Sequence, residues 1–143
     1  MAQQPRLLIT TDIGGDTDDQ QALVRLMVYS NEFEIEGFVC SASGTPGELK
    51  EAVVRPDLVK EIVSSYGQVY PNLVKHDANY PLPDQILSWV NKGNPQRVGA
   101  NVVEEKDTEG YDWIIKGVDK KVYGTHHLCI FGGKTDLAQA RQK

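Results

Sequence analysis

Asp12, Asp16, Asp18 and Asp19 crowd one turn of this chain, and any fold it adopts must place them without mutual repulsion. The stretch reads Thr10-Thr11-Asp12-Ile13-Gly14-Gly15-Asp16-Thr17-Asp18-Asp19-Gln20-Gln21-Ala22-Leu23. Just before it, Arg6-Leu7-Leu8-Ile9 is a short apolar run that predicts a buried strand. Just after it, Ala22, Leu23, Leu26 and Met27 fall at helical spacing, so a helix begins near Asp18. The acids therefore lie between the carboxyl end of a strand and the amino end of a helix, where open α/β sheets bind their ligands.

Two readings of the cluster compete. In the first, Asp16 or Thr17 is the helix N-cap and Asp18 and Asp19 complement the helix dipole, worth about 1 kcal/mol each at most. Asp12 resists that account because it precedes two glycines at the strand end. Gly14 and Gly15 tolerate positive φ, which lets the chain fold Asp12 back towards Asp18 and Asp19. In the second reading these carboxylates converge on a cation that offsets their repulsion. Oxygen-only ligands suit a hard divalent ion such as calcium or magnesium.

Size and charge narrow the classes. A chain of 143 residues is expected to be one domain with a core of ordinary size. Its net charge of −5 and pI near 5.1 argue against a nucleic-acid partner. No apolar run is long enough to span a membrane. Met1 to Pro5 lead straight into the first strand without a signal-peptide pattern, which makes the cytoplasm the default expectation, with secretion open if the start was trimmed. Cys40 and Cys129 each sit in an apolar run and are expected to be buried, reduced thiols. No C-x-x-C or His-rich motif points to zinc.

Further along, Ile35 to Ser41 predicts a second strand, making a βαβ unit with parallel pairing. Ser41-Ala42-Ser43-Gly44 forms a second loop at the same edge, suited to a sugar or to an ordinary turn. Pro46 to Lys75 reads as helical in two pieces, the second starting at Asp57 after Pro56. A short helix is expected from Asp84 to Lys92, with Trp89 in the core. Gly93-Asn94-Pro95 ends it. The charged run Glu104 to Trp113 is either a solvated loop or the approach to a helix capped by Thr108, with Ile114, Ile115 and Val118 on the buried face. His126 to Phe131 predicts a strand whose adjacent histidines point to opposite faces. Gly132-Gly133 before the last helix lacks the spacing of a P-loop.

The acidic stretch also resembles the calcium-binding signature of the inosine–uridine nucleoside hydrolases, D-x-D-P-G-x-D-D-x-x-A-L, with a short insertion. It is still more similar to the nucleoside hydrolase-like domain of proteins described as cellulose-binding, T-D-I-G-G-D-x-D-D-Q-Q-x-L-V-R-L followed by Y-S-N-E-F-x-I-E-G. Val24-Arg25-Leu26 and Tyr29-Ser30-Asn31-Glu32-Phe33-Glu34-Ile35-Glu36-Gly37 continue that match, as does Glu104 to Ile115 with the family's E-E-K-D-T-E-G-S-D-W-I-I.

The resemblance implies an α/β fold, a mostly parallel sheet flanked by helices. It implies calcium held by Asp12, Asp19 and the backbone carbonyl of Thr135, with Asp136 in place of the asparagine of the classical G-P-L-T-N-[IL]-A pattern. Asp12 would also be the general base, Asp18 would meet a ribose hydroxyl, and Asp112 or Glu109 another sugar hydroxyl. Lys134, Asp136 and Arg141 depart from the closer relatives' G-G-A-N-T-L-A-Q-A-L, and Gly44 stands where classical enzymes carry an asparagine. The match runs from Arg6 to the last residue but corresponds to the amino-terminal part of one such domain, about four strands. The implied activity is calcium-dependent hydrolysis of an N-glycosidic bond in a nucleoside. The competing function is a non-catalytic carbohydrate-binding module that keeps the acidic loop. A small-molecule nucleoside or carbohydrate is the expected partner, and homo-oligomers are possible.

Overall fold

A computed structural model of the chain describes residues 4–42, 53–95, 108–121, 124–133 and 135–141. Ser43, Gly44, the first helical piece expected from Pro46, the acids of 104–107 and Lys134 lie outside those residues. The elements run β1 (Arg6–Thr11), α1 (Asp18–Val28), a 3-10 turn at Ser30–Glu32, β2 (Glu34–Cys40), α2 (Pro56–Leu73), α3 (Pro83–Ser88), β3 (Val90–Lys92), α4 (Glu109–Asp119), β4 (His126–Ile130) and α5 (Thr135–Ala140).

The strands form one sheet in the order β3-β2-β1-β4, and every pairing is parallel. β1 is buried over its whole length, as expected of an interior strand of a parallel sheet covered on both faces. Leu7 and Ile9 point into a core shared with Leu23 and Met27 of α1, Val59 and Val63 of α2 and Ile86 of α3. Leu8 points the other way, joining Val39 of β2 and Ile114 of α4. The molecule is therefore three-layered, with α1 to α3 on one face and α4 and α5 on the other. No described helix is long and apolar enough to cross a membrane.

A β-bulge tunes this packing. The β1–β2 register passes from Leu7↔Ile35 to Leu8↔Gly37, leaving Glu36 as the extra residue. Gly37 then has no Cβ for good reason, since one would lie 2.3 Å from the Trp113 indole nitrogen. That nitrogen donates to the Glu36 carbonyl at 2.8 Å, laying α4 against β2.

Three expectations are corrected. The short helix stops at Ser88, and Val90–Lys92 is instead a strand paired with Phe38–Cys40. Sheet pairing wins there because β2 offers an open edge and the Phe38 N–H donates to the Trp89 carbonyl at 2.9 Å. The helix expected to reach Lys75 ends at Leu73, running through Pro71 and starting on Pro56 at its first turn. Val118 is 65 % exposed rather than part of the buried face of α4, where Tyr111 and Ile114 do that work. Thr108 caps α4 as expected, its hydroxyl accepting from the Tyr111 N–H at 3.0 Å. Both cysteines are free thiols, Cys40 buried and Cys129 half-buried.

Candidate metal centre at the carboxyl edge

Because all four strands are parallel, Asp12, Ser41, Gly93 and Phe131 emerge at one edge of the sheet. The loop after β1 turns sharply at Gly14, whose φ of 104° is open to glycine at little cost. It returns the chain to α1, where Asp19 is buried at 5 % exposure. The Thr11 hydroxyl donates to the Asp19 carboxylate and accepts from the Ile13 N–H at 3.2 Å, which pins the loop.

Asp12 and Asp19 are brought together, within hydrogen-bonding reach of one another. Burial pushes the Asp19 carboxyl up to about 6, partly relieved by the Thr11 hydroxyl and reinforced by the charges of Asp12 and Asp18. Asp18 is exposed, and a hydrogen bond shared with Asp16, together with one accepted from the Asp19 N–H at 2.8 Å, holds its carboxyl below the usual carboxylate range. That backbone bond lies in the first turn of α1, but helix capping does not account for Asp19. Thr17 is the N-cap of α1 and makes no side-chain capping bond, and Asp19 faces Thr11 in the core rather than the helix end.

On the neighbouring strand's loop, Gly132 lies so close to Asp12 that an added Cβ would stand 1.9 Å from its Oδ1. Thr135, buried at the start of α5, follows on the same edge. Asp112 is exposed in the first turn of α4 and makes no side-chain hydrogen bond or ion pair among the described residues.

Among the described residues no group of three or more His, Cys, Asp or Glu side chains is gathered to hold a metal ion. A cation at Asp12 and Asp19 would therefore draw its remaining ligands from backbone oxygens and water. Hard ions accept such ligands readily, and the absence of sulfur and imidazole suits calcium rather than zinc. The pair of carboxyls, Asp12 half-buried and Asp19 buried and pushed towards protonation, is the feature that a bound cation would relieve.

Sequence reasoning passed over Asp136 as more than a substituted asparagine. Its carboxylate is fully buried, accepting from Ser41 Oγ at 2.7 Å, from the Asn94 N–H at 3.0 Å and from Thr108 Oγ1 at 2.5 Å. A lone acid in the first turn of a helix carries no signal of this, because its partners come from distant segments.

A parallel sheet covered by helices on both faces, with an acidic loop at its carboxyl edge, is an α/β domain. The chain belongs to the family described as cellulose-binding Sde182, nucleoside hydrolase-like domain, whose model matches residues 6–143. No curated protein matches it. A solved structure of a nucleoside hydrolase-related hypothetical protein from Saccharophagus degradans, associated with carbohydrate metabolism, superposes with a TM-score of 0.81 at 34 % identity. That match covers 96 % of this chain and 33 % of the other, so the chain spans about a third of its relative's length.

Proposed function

We propose that this chain carries the acidic-loop part of a calcium-dependent hydrolase that cleaves an N-glycosidic bond in a nucleoside or related ribosyl compound. The observation that carries this reading is the juxtaposition of half-buried Asp12 and buried Asp19 at the carboxyl edge. Asp12, Asp19 and the Thr135 carbonyl would hold the ion. When bound, calcium supplies positive charge that offsets the carboxylates and acidifies a nearby water. Asp12 accepts the proton of the attacking water as general base. Asp18, kept ionised, accepts a hydrogen bond from a ribose hydroxyl. The carbon–nitrogen bond breaks through an oxocarbenium-like transition state, the base leaving with the electron pair. Asp112, exposed in the first turn of α4, would meet another sugar hydroxyl.

Calorimetric titration of calcium into the purified chain, with a parallel assay of base release from inosine and uridine, tests this. Binding together with release supports it, and release that is indifferent to calcium or absent with calcium bound defeats the catalytic part.

A second reading, a non-catalytic carbohydrate-binding module, is favoured by the family's description and by one groove. Along α1, a groove of about 530 Å³ is lined by Asp18, Gln21, Arg25, Tyr29, Glu32 and Phe131, among others. Tyr29 is 56 % exposed and Phe131 38 %, and such rings suit the apolar faces of sugars while the planar polar groups suit hydroxyls. By contrast Tyr66 and Tyr111 are buried, and the Tyr66 and Tyr80 hydroxyls are bonded to the Pro81 and Val28 carbonyls. Retention on cellulose without base release, lost on Tyr29→Ala with Phe131→Ala, would favour this reading.

A further inference from the structure

Asp136 ties together four segments. Ser41 follows β2, Asn94 follows β3, Thr108 caps α4, and Asp136 itself belongs to α5. The first three each donate to the buried Asp136 carboxylate, so the bonds are charge-assisted and stronger than neutral ones. The surroundings are cut to fit. A Cβ on Gly93 would lie 2.4 Å from Asp136 Oδ2, and one on Gly110 would lie 2.4 Å from Val39 and 3.5 Å from Asp136 Oδ1.

The contacts continue to the acidic loop. Gly133, with φ of 66°, packs so closely on Ser41 that a Cβ would stand 2.3 Å from the serine's own. Its neighbour Gly132 is the residue pressed against Asp12, and the Gly132 carbonyl accepts from Thr10 Oγ1 at 3.3 Å. From Asp136 through Ser41 and the two glycines to Asp12, the chain is in unbroken contact, and Thr135 lies between the glycine turn and Asp136 in sequence.

We infer that Asp136 is the positioning residue of the candidate metal centre. By gathering the loops after β2 and β3 and the starts of α4 and α5, it fixes Thr135 and the Gly132–Gly133 turn against Asp12. The role at the metal rests on the calcium reading above, whereas the gathering of the four segments does not.

Asp136→Asn is the test, because it keeps shape and one acceptor while removing the charge. Amide hydrogen exchange is followed at Asn94 and Tyr111, with calcium affinity measured by calorimetry on the same samples. The expected result is faster exchange at Asn94 and Tyr111, unchanged protection along β1, and calcium binding weakened by about tenfold or more, as for loss of an outer-shell partner. Ser41→Ala, which removes one donor, should fall between parent and variant. It carries the test if Asp136→Asn does not fold. Unchanged exchange at both amides overturns the positioning role. Faster exchange with parental calcium affinity reduces Asp136 to a purely structural group and overturns its link to the metal. Should the parent itself bind no calcium, the calcium reading fails, and the exchange rates alone decide whether Asp136 gathers the edge.

Discussion

Arg6 and Glu36 face each other across the β1–β2 pair, joined by two parallel hydrogen bonds of 3.0 Å, with 4 % and 8 % of their side chains exposed. The bulge at Glu36 makes this possible, turning its carboxylate to the α4 face, where Lys120 Nζ also approaches to 2.9 Å. The pair lies at the far edge of the sheet from the acidic loop. Glu36→Gln leaves the Arg6 guanidinium buried beside a neutral amide. The expected cost is about 3 kcal/mol, typical of breaking one half of a buried pair. A lowered urea midpoint at unchanged slope checks it, and an unshifted midpoint would show that the bridge contributes nothing.

The same cluster sets an acid limb of stability. Burial pushes Glu36 up, but hydrogen bonds from Arg6 and Lys120 outweigh it and hold the carboxyl below its ordinary 4.5. Its contribution is present above that value and is lost as pH falls through the folded-state pKa. His126 Nε2 sits 3.1 Å from Glu36 Oε2, yet burial, with Arg6, His127 and Lys120, holds the imidazole below its ordinary 6.5. A histidine held neutral stabilises fully above 6.5 and progressively less below it. Asp19 runs the opposite way, its contribution shrinking as pH rises through about 6, so parent and variant must be compared. The parent should lose stability relative to His126→Asn as pH falls from 7 to 5. A constant difference between them over that range would refute the assignment.

Gly132→Ala separates the metal loop from the fold. The new methyl must displace the Asp12 carboxyl, whose oxygens lie 1.9 and 2.5 Å from where it would stand. A short side chain can swing aside, so the stability loss should be modest, about 1 kcal/mol. Calcium affinity should nevertheless fall as far as in Asp12→Ala. Melting curves and calorimetry on the two variants decide this, and parental calcium affinity in Gly132→Ala would remove Asp12 from the ligand set.

The two thiols should differ in reactivity. Burial pushes the Cys40 thiol up to about 12, with the charge of Asp57 acting in the same direction. Since the thiolate is the reactive form, Cys40 should resist alkylation in the native chain. Cys129 is half-buried and should label first. Mass spectrometry after brief iodoacetamide treatment, with and without denaturant, distinguishes them, and equal labelling of both native thiols would contradict the packing around β2.

Much of this fold was legible because its signals are local. The apolar run from Leu7 to Ile9, the glycines at 14 and 15 and the helical spacing of Leu23 and Met27 each act within a few residues, and β1, the acidic turn and α1 follow. β3 was not legible, since Val90-Asn91-Lys92 is a strand only because β2 lies alongside. Asp136 illustrates the same limit at the site. Its partners Ser41, Asn94 and Thr108 are 95, 42 and 28 residues away, and no spacing rule reaches that far. Asp12 and Asp19 could be paired from sequence because only six residues, two of them glycines, separate them.

Asp19→Asn offers the sharpest test of whether that pairing is for a cation. A buried polar group usually costs stability when altered, but here the charge itself is disfavoured by burial and by Asp12. The amide keeps an oxygen for the Thr11 hydroxyl, so the hydrogen bond that pins the loop survives. Without calcium, the variant should therefore be as stable as the parent or more so, by about 1 kcal/mol. With calcium, the parent should gain melting temperature and the variant should not, because the ion no longer finds two carboxylates to neutralise. Asp19→Ala should lose stability in both conditions, since the Thr11 hydroxyl is left without its acceptor. An equal calcium response in parent and Asp19→Asn would mean that the pairing is not for a cation.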